Sequence, residues 1–169
     1  MTRRSVLVVM GSESDLPAMR PAIDVLKELG VPADLSIASA HRTPDRAAEL
    51  AMKARGEGVG VIIAGAGMAH HLGGALAART TVPVIAVPLA SGALQGVDAL
   101  LSAVQMPPGV PVAVVAVGGA KNAAYLAVQI LAVSDEALAA KLEEHRTAQA
   151  AKVLQADERA RAALRGQTE

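Results

Sequence analysis

Three short stretches carry most of the side chains with reactive chemistry: Gly11–Pro17 (GSESDLP), Ser39–Asp45 (SAHRTPD) and Ala64–Gly74 (AGAGMAHHLGG). The first places Ser12, Ser14 and Asp15 directly after a glycine, where a helix can begin. Free N–H groups at a helix N-terminus and nearby hydroxyls suit a phosphate, and a carboxylate there accepts from sugar hydroxyls. The same residue types also cap helices without binding anything. The second stretch sets Ser39, His41 and Arg42 ahead of Pro44. Guanidinium binds phosphate through paired, charge-assisted hydrogen bonds, and imidazole exchanges a proton near neutrality. Alternatively, Thr43 caps a helix opened by Pro44 while His41 and Arg42 face water. In the third stretch, four glycines among eleven residues allow a ligand to approach the backbone closely, and His70 and His71 interrupt an apolar run.

Taken together, a hydroxyl and arginine cluster, a ribose-capable Asp15 and a proton-transferring His41 predict a phosphorylated ribose compound. A small apolar, glycine-lined cavity would adjoin it. Dinucleotide binding is disfavoured: Gly65-x-Gly67 is followed by His70 where a third glycine belongs, no acidic residue closes the next strand, and no Walker A sequence occurs. With no cysteine, disulfides, thiolate catalysis and iron–sulfur clusters are excluded. His41, His70 and His71 make a poor metal set, since two are adjacent and no carboxylate is nearby, so neither metal nor cofactor is expected.

The elements that position these residues alternate regularly. Val6–Met10, Ala33–Ala38, Val59–Ala64, Val84–Val87 and Val112–Val117 read as strands, mostly near-continuous apolar runs of the kind that a sheet covered on both faces requires. Helical patterns fall at about 17–29, 44–56, 70–78, 93–104 and 121–133, with Pro17 and Pro44 suited to first turns and Gly30 to a C-terminal stop. This βα alternation predicts an α/β fold, a three-layer αβα sandwich on an open parallel sheet. With strand order 2-1-3-4-5, the turns after strands 1, 2 and 3 converge on one crevice at the carboxyl ends of the strands. Those turns are the three stretches above. Residues 134–165 change to Ala, Glu, Lys, Arg and Leu and read as an added C-terminal helical arm. The whole, 1–169, reads as one domain with its core at about 5–133.

Bulk composition narrows the partners. Lys plus Arg and Asp plus Glu both total 16, and Tyr125 is the one aromatic residue, which argues against nucleic acid and anionic membranes. Between Gly58 and Ala120 the formally charged residues are Arg79 and Asp98 alone. Glycines, prolines and histidines keep that region from spanning a bilayer. So little polar surface predicts burial against other copies, a homo-oligomer. Arg3 and Arg4 precede an apolar run of only Val6–Met10, too short for a secretory signal, so a cytoplasmic location is expected.

The motifs MGSESD, SAHRTPD, IIAGAGMAHHLGG, TVPVIAVP, LQGVDALLSAVQMPPGVPV and NAAYLAVQIL, in this order over roughly residues 5–155, resemble the class I N5-carboxyaminoimidazole ribonucleotide mutases of purine biosynthesis. That family is also known as the catalytic subunit of phosphoribosylaminoimidazole carboxylase. The resemblance implies a flavodoxin-like sandwich assembled as a homo-octamer, with each site near a subunit boundary. It implies transfer of a carboxylate from the exocyclic amine to ring carbon 4 of aminoimidazole ribonucleotide, through enclosed carbon dioxide and without metal, biotin or ATP. It further implies that Ser14, Ser39 and Arg42 hold the phosphate and Asp15 the ribose hydroxyls. Ser12, Gly67, His71 and Leu72 would line the base and carbon dioxide pocket, with His41 as the catalytic acid and base. Gln105–Pro111 resembles a loop that reaches a neighbouring subunit's site. Gly73 stands where the family usually has Pro, Met68 where a small residue is usual, Ala75 for a common Met and Ala86 for a common Gly. Gly73 is expected to loosen a lid and Met68 to crowd the pocket. The alternatives are a related carboxylase using free carbon dioxide and a non-enzymatic nucleotide-binding module.

Overall fold

The computed structural model describes residues 4–165; Arg3 of the N-terminal basic pair lies outside the described residues. Five parallel strands form one sheet, β1 (Ser5–Met10), β2 (Ala33–Ile37), β3 (Val59–Gly67), β4 (Val84–Leu89) and β5 (Ala113–Val114), in the order β2-β1-β3-β4-β5. The connecting helices are α1 (Leu16–Glu28), α2 (Pro44–Ala54), α3 (His71–Ala77), α4 (Val97–Val104) and α5 (Ala120–Ala132). The predicted doubly wound architecture is therefore observed. Pro17 and Pro44 do sit in first turns, and Gly30, with φ +71°, ends α1 in the left-handed region that glycine enters freely.

The register decides where the chemistry goes. Met10 pairs with Ile37 on one side and with Gly65 on the other, so the ends of β1, β2 and β3 finish level. Their outgoing turns are thereby neighbours, although they are far apart in sequence. On one face of the sheet Ile62, Ala64 and Ala66 pack with Leu72 and Leu76 of α3 and with Ala47, Ala51 and Ala54 of α2. Each large side chain buried this way contributes roughly 1.5–3 kcal/mol. On the other face, a Cβ added at Gly65 would overlap the Met19 side chain of α1. Glycine there serves close packing of helix on strand.

Several boundaries differ from the sequence expectation for physical reasons. The glycine-rich Ala64–Gly67 is the end of β3, not loop, because those glycines make room for packed neighbours while staying in the ladder with Ala86–Leu89. Helix α4 begins at Val97 because Gln95 and Gly96 take left-handed φ values of +49° and +91°, which no helix tolerates. Strand β5 is two residues long, since only Ala113 and Val114 pair with Ile85 and Ala86. β2 is an edge strand and largely exposed, unlike the buried runs beside it.

Residues Met1–Leu131 make one compact unit and Ala132–Glu169 a second. In the second, α6 (Glu136–Arg165) is a single uninterrupted helix. Its first turn is capped by a side chain: Asp135 Oδ1 accepts the Leu138 N–H at 3.1 Å.

Candidate functional site

At the end of β1 the chain makes a single 3₁₀ turn, Glu13–Asp15, before α1. Ser12 Oγ accepts from the Ser14 hydroxyl at 3.0 Å and, more weakly, from the Ser14 N–H at 3.4 Å. Asp15 precedes α1 without capping it through its side chain. Partial burial pushes its carboxyl up from the ordinary carboxylate range, opposed by the Ser12 backbone hydrogen bond and the charge of Arg42.

After β2, Ser39 organises the turn. Its hydroxyl accepts the backbone N–H groups of His41 (3.3 Å) and Arg42 (3.2 Å). Thr43 occupies the N-cap position of α2, as its type suggests, but its side chain makes no cap hydrogen bond. Its hydroxyl instead closes the turn on Ser39, accepting the Ser39 N–H at 2.9 Å and donating to the Ser39 carbonyl at 3.3 Å. With the backbone so fixed, Arg42 Nη2 reaches across to donate to the Gly11 carbonyl at 3.2 Å, joining the β1 and β2 turns. The Thr43–Ser39 and Arg42–Gly11 hydrogen bonds hold the two turns in place, a structural role that sequence reasoning did not assign.

The third turn delivers two adjacent histidines to opposite fates. His71, exposed at the start of α3, places Nδ1 2.7 Å from His41 Nε2, with ring centroids 4.8 Å apart and planes at 67°. At that distance one ring nitrogen donates to the other, which ties the β2 turn to the start of α3. His70 is only 1% exposed, and neither ring nitrogen has a hydrogen-bond partner. Burial, reinforced by the neighbouring His71, lowers its pKa to about 4.

Of the residues named from sequence, Ser12, Ser14, Asp15, Ser39, His41, Arg42 and His71 thus converge at the carboxyl end of the sheet through direct contacts or charge. Gly67 ends β3 there, and a Cβ on it would overlap Ser91 Oγ, so Ser91 fills the space its missing side chain leaves. Leu72 differs: its side chain is 2% exposed and belongs to the core beneath α3. Met68 is 61% exposed with φ +51°, its side chain beside Gly92. Gly73 is buried, and a Cβ there would stand 3.3 Å from the Ala86 Cβ. Two of the four departures from the family pattern, Gly73 and Ala86, are therefore packing neighbours: the small residue on α3 accommodates the methyl on β4. Among the described residues, no group of three or more His, Asp or Glu is placed to hold a metal ion.

This geometry can bind an anion and a diol on the β1 and β2 side and move a proton on the β3 side. Comparison with known proteins identifies the family. The N5-carboxyaminoimidazole ribonucleotide mutase of Pyrococcus horikoshii is 54% identical over 138 residues, covering 82% of this chain and 78% of the relative. That of Synechocystis is 55% identical over 148 residues, covering 86% and 84%. The crystal structure of Treponema denticola PurE superposes with a TM-score of 0.85 at 28% identity, covering 93% of this chain and 98% of the other. The AIR carboxylase family model matches residues 5–152, most of the chain and all three site turns, and the chain belongs to that family.

Proposed function

We propose that this protein is an isomerase of purine biosynthesis that interconverts N5-carboxyaminoimidazole ribonucleotide and 4-carboxy-5-aminoimidazole ribonucleotide. The observation that carries the chemistry is the 2.7 Å contact between His41 and His71 beside the Ser39–Arg42 turn. The carbamate loses carbon dioxide when its nitrogen takes a proton. Ring carbon 4 then attacks that carbon dioxide and gives up its own proton. His41 donates the first proton and accepts the second, so the imidazole ends as it began. His71, bonded to His41, orients the ring. Ser14, Ser39 and Arg42 hold the phosphate through hydroxyls and a charged fork. Asp15 accepts from the ribose hydroxyls, and Ser12, Gly67 and His71 border the base and carbon dioxide, while Leu72 packs beneath them in the core. Transfer in this way requires a closed pocket that keeps the released gas near carbon 4.

The assembly belongs to the same reading. On α4, Val97, Leu101 and Val104 form an exposed apolar stripe at helical spacing, with Leu94 and Val117 also exposed. We take this face as part of the contact between copies in a homo-octamer, with the 105–111 loop reaching a neighbour's site. Light scattering is expected to give several times the 17.1 kDa chain mass; a monomer contradicts it. One mutase domain with a helical arm, acting in the cytoplasm, completes the proposal; no described helix is long and apolar enough to cross a membrane. The deciding experiment sets the carbamate against bicarbonate as the source of the carboxylate.

A further inference from the structure

His71 meets His41, yet what fixes His71 lies outside the crevice. It is the first residue of α3, and α3 has no side-chain cap. The residue before it, His70, donates its backbone N–H to Ser102 Oγ at 2.9 Å, and the Ser102 hydroxyl donates onward to the Ala99 carbonyl at 3.2 Å inside α4. Ser102 is thereby oriented with its lone pair toward the turn that carries both histidines. The His70 ring cannot substitute for this anchor, because both its nitrogens are without hydrogen-bond partners. It is held by packing alone, with the empty Cβ position of Gly73 3.8 Å from its Nε2.

We infer that Ser102 is a positioning residue: by accepting the His70 N–H it fixes the peptide that aims His71, and so sets the His41–His71 contact. This rests on the reading of His41 as the proton carrier. Without the hydroxyl, a part-buried N–H loses its acceptor, and the 69–70 peptide rotates toward another one. His71 is next in the chain and moves with it. A misplacement of about 1 Å costs on the order of 10²-fold in rate, and a partial shift is expected to cost about 10-fold. The phosphate and ribose residues lie on the other two turns, so the hold on those groups, which dominates KM, is spared.

The test measures kcat, KM and the pH profile of kcat for Ser102→Ala and Ser102→Thr in the full chain. The inference expects kcat to fall about 10-fold in Ser102→Ala with KM nearly unchanged, an altered pH profile, and recovery in Ser102→Thr, which restores the hydroxyl. An unchanged kcat and profile in Ser102→Ala, or equal losses in both variants, overturns it. If Ser102→Ala does not fold, Ser102→Cys, a weaker acceptor, should give an intermediate kcat; a parent-like value contradicts the inference. His41→Asn in the same assay separates the two levels. If that variant stays at parent turnover, the site reading fails. If it falls while Ser102→Ala does not, only the role of Ser102 fails.

Discussion

His41→Asn is expected to lower kcat by about 10²–10⁴-fold, the usual worth of a positioned general acid and base, while KM changes little. The separation follows from the geometry. Phosphate and ribose are assigned to Ser14, Ser39, Arg42 and Asp15, whose mutual contacts do not run through the His41 ring: Ser39 grips the turn by backbone N–H groups, and Arg42 is tied to the Gly11 carbonyl. Asparagine keeps a polar side chain at the position but cannot carry a proton between nitrogen and carbon 4. It also loses the 2.7 Å ring-to-ring contact with His71. Steady-state kinetics with the carbamate checks this. A variant with parent kcat removes His41 from the chemistry, and a large rise in KM alone reassigns it to binding.

The second large effect is on stability. Buried His70 has its pKa lowered from 6.5 to about 4 by desolvation, aided by His71. In the unfolded chain the same imidazole takes up a proton at ordinary pH, so acid favours the unfolded state. The neutral buried ring therefore costs nothing extra above about pH 6.5, and stability is lost progressively as pH falls from there toward 4. The shift corresponds to on the order of 3 kcal/mol by pH 4. His70→Leu, apolar and of similar size, is expected to flatten this slope, because it removes the titration and two unpartnered buried nitrogens at once. Denaturant midpoints of parent and variant between pH 7 and 4 measure it. Parallel curves for the two proteins contradict the assignment.

How much of this was legible in the sequence depends on which residues are asked about. The open parallel sheet followed from apolar runs separated by helical patterns. The order 2-1-3-4-5 was a condition that the family resemblance supplied, and it is that order which makes the three turns meet. Ser39, His41 and Arg42 could be named because their types suit phosphate and proton transfer, and the level ends of β1, β2 and β3 bring them to His71. The glycines of β3 were misread as loop, since composition does not distinguish a glycine needed for a turn from one needed by Met19. Residue type alone did not distinguish His70 from His71; only the family resemblance singled out His71. The helix that starts between them turns one ring outward to His41 and leaves the other in the interior. Ser102, on a different helix, carried no local signal of its bond to His70. Thr43 carried a partial one, for its type and place suggested the cap position but not the bonds to Ser39.

The central claim is that the carboxylate travels from nitrogen to carbon 4 inside one closed site. Its most direct measurement supplies the carbamate with its carboxylate unlabelled, in buffer containing ¹³C-bicarbonate and carbonic anhydrase, and reads the label in the carbon 4 carboxylate of the product. The mutase account predicts product almost free of ¹³C, formed faster than from aminoimidazole ribonucleotide plus bicarbonate. Product carrying the isotope ratio of the buffer, at a rate set by bicarbonate, contradicts it.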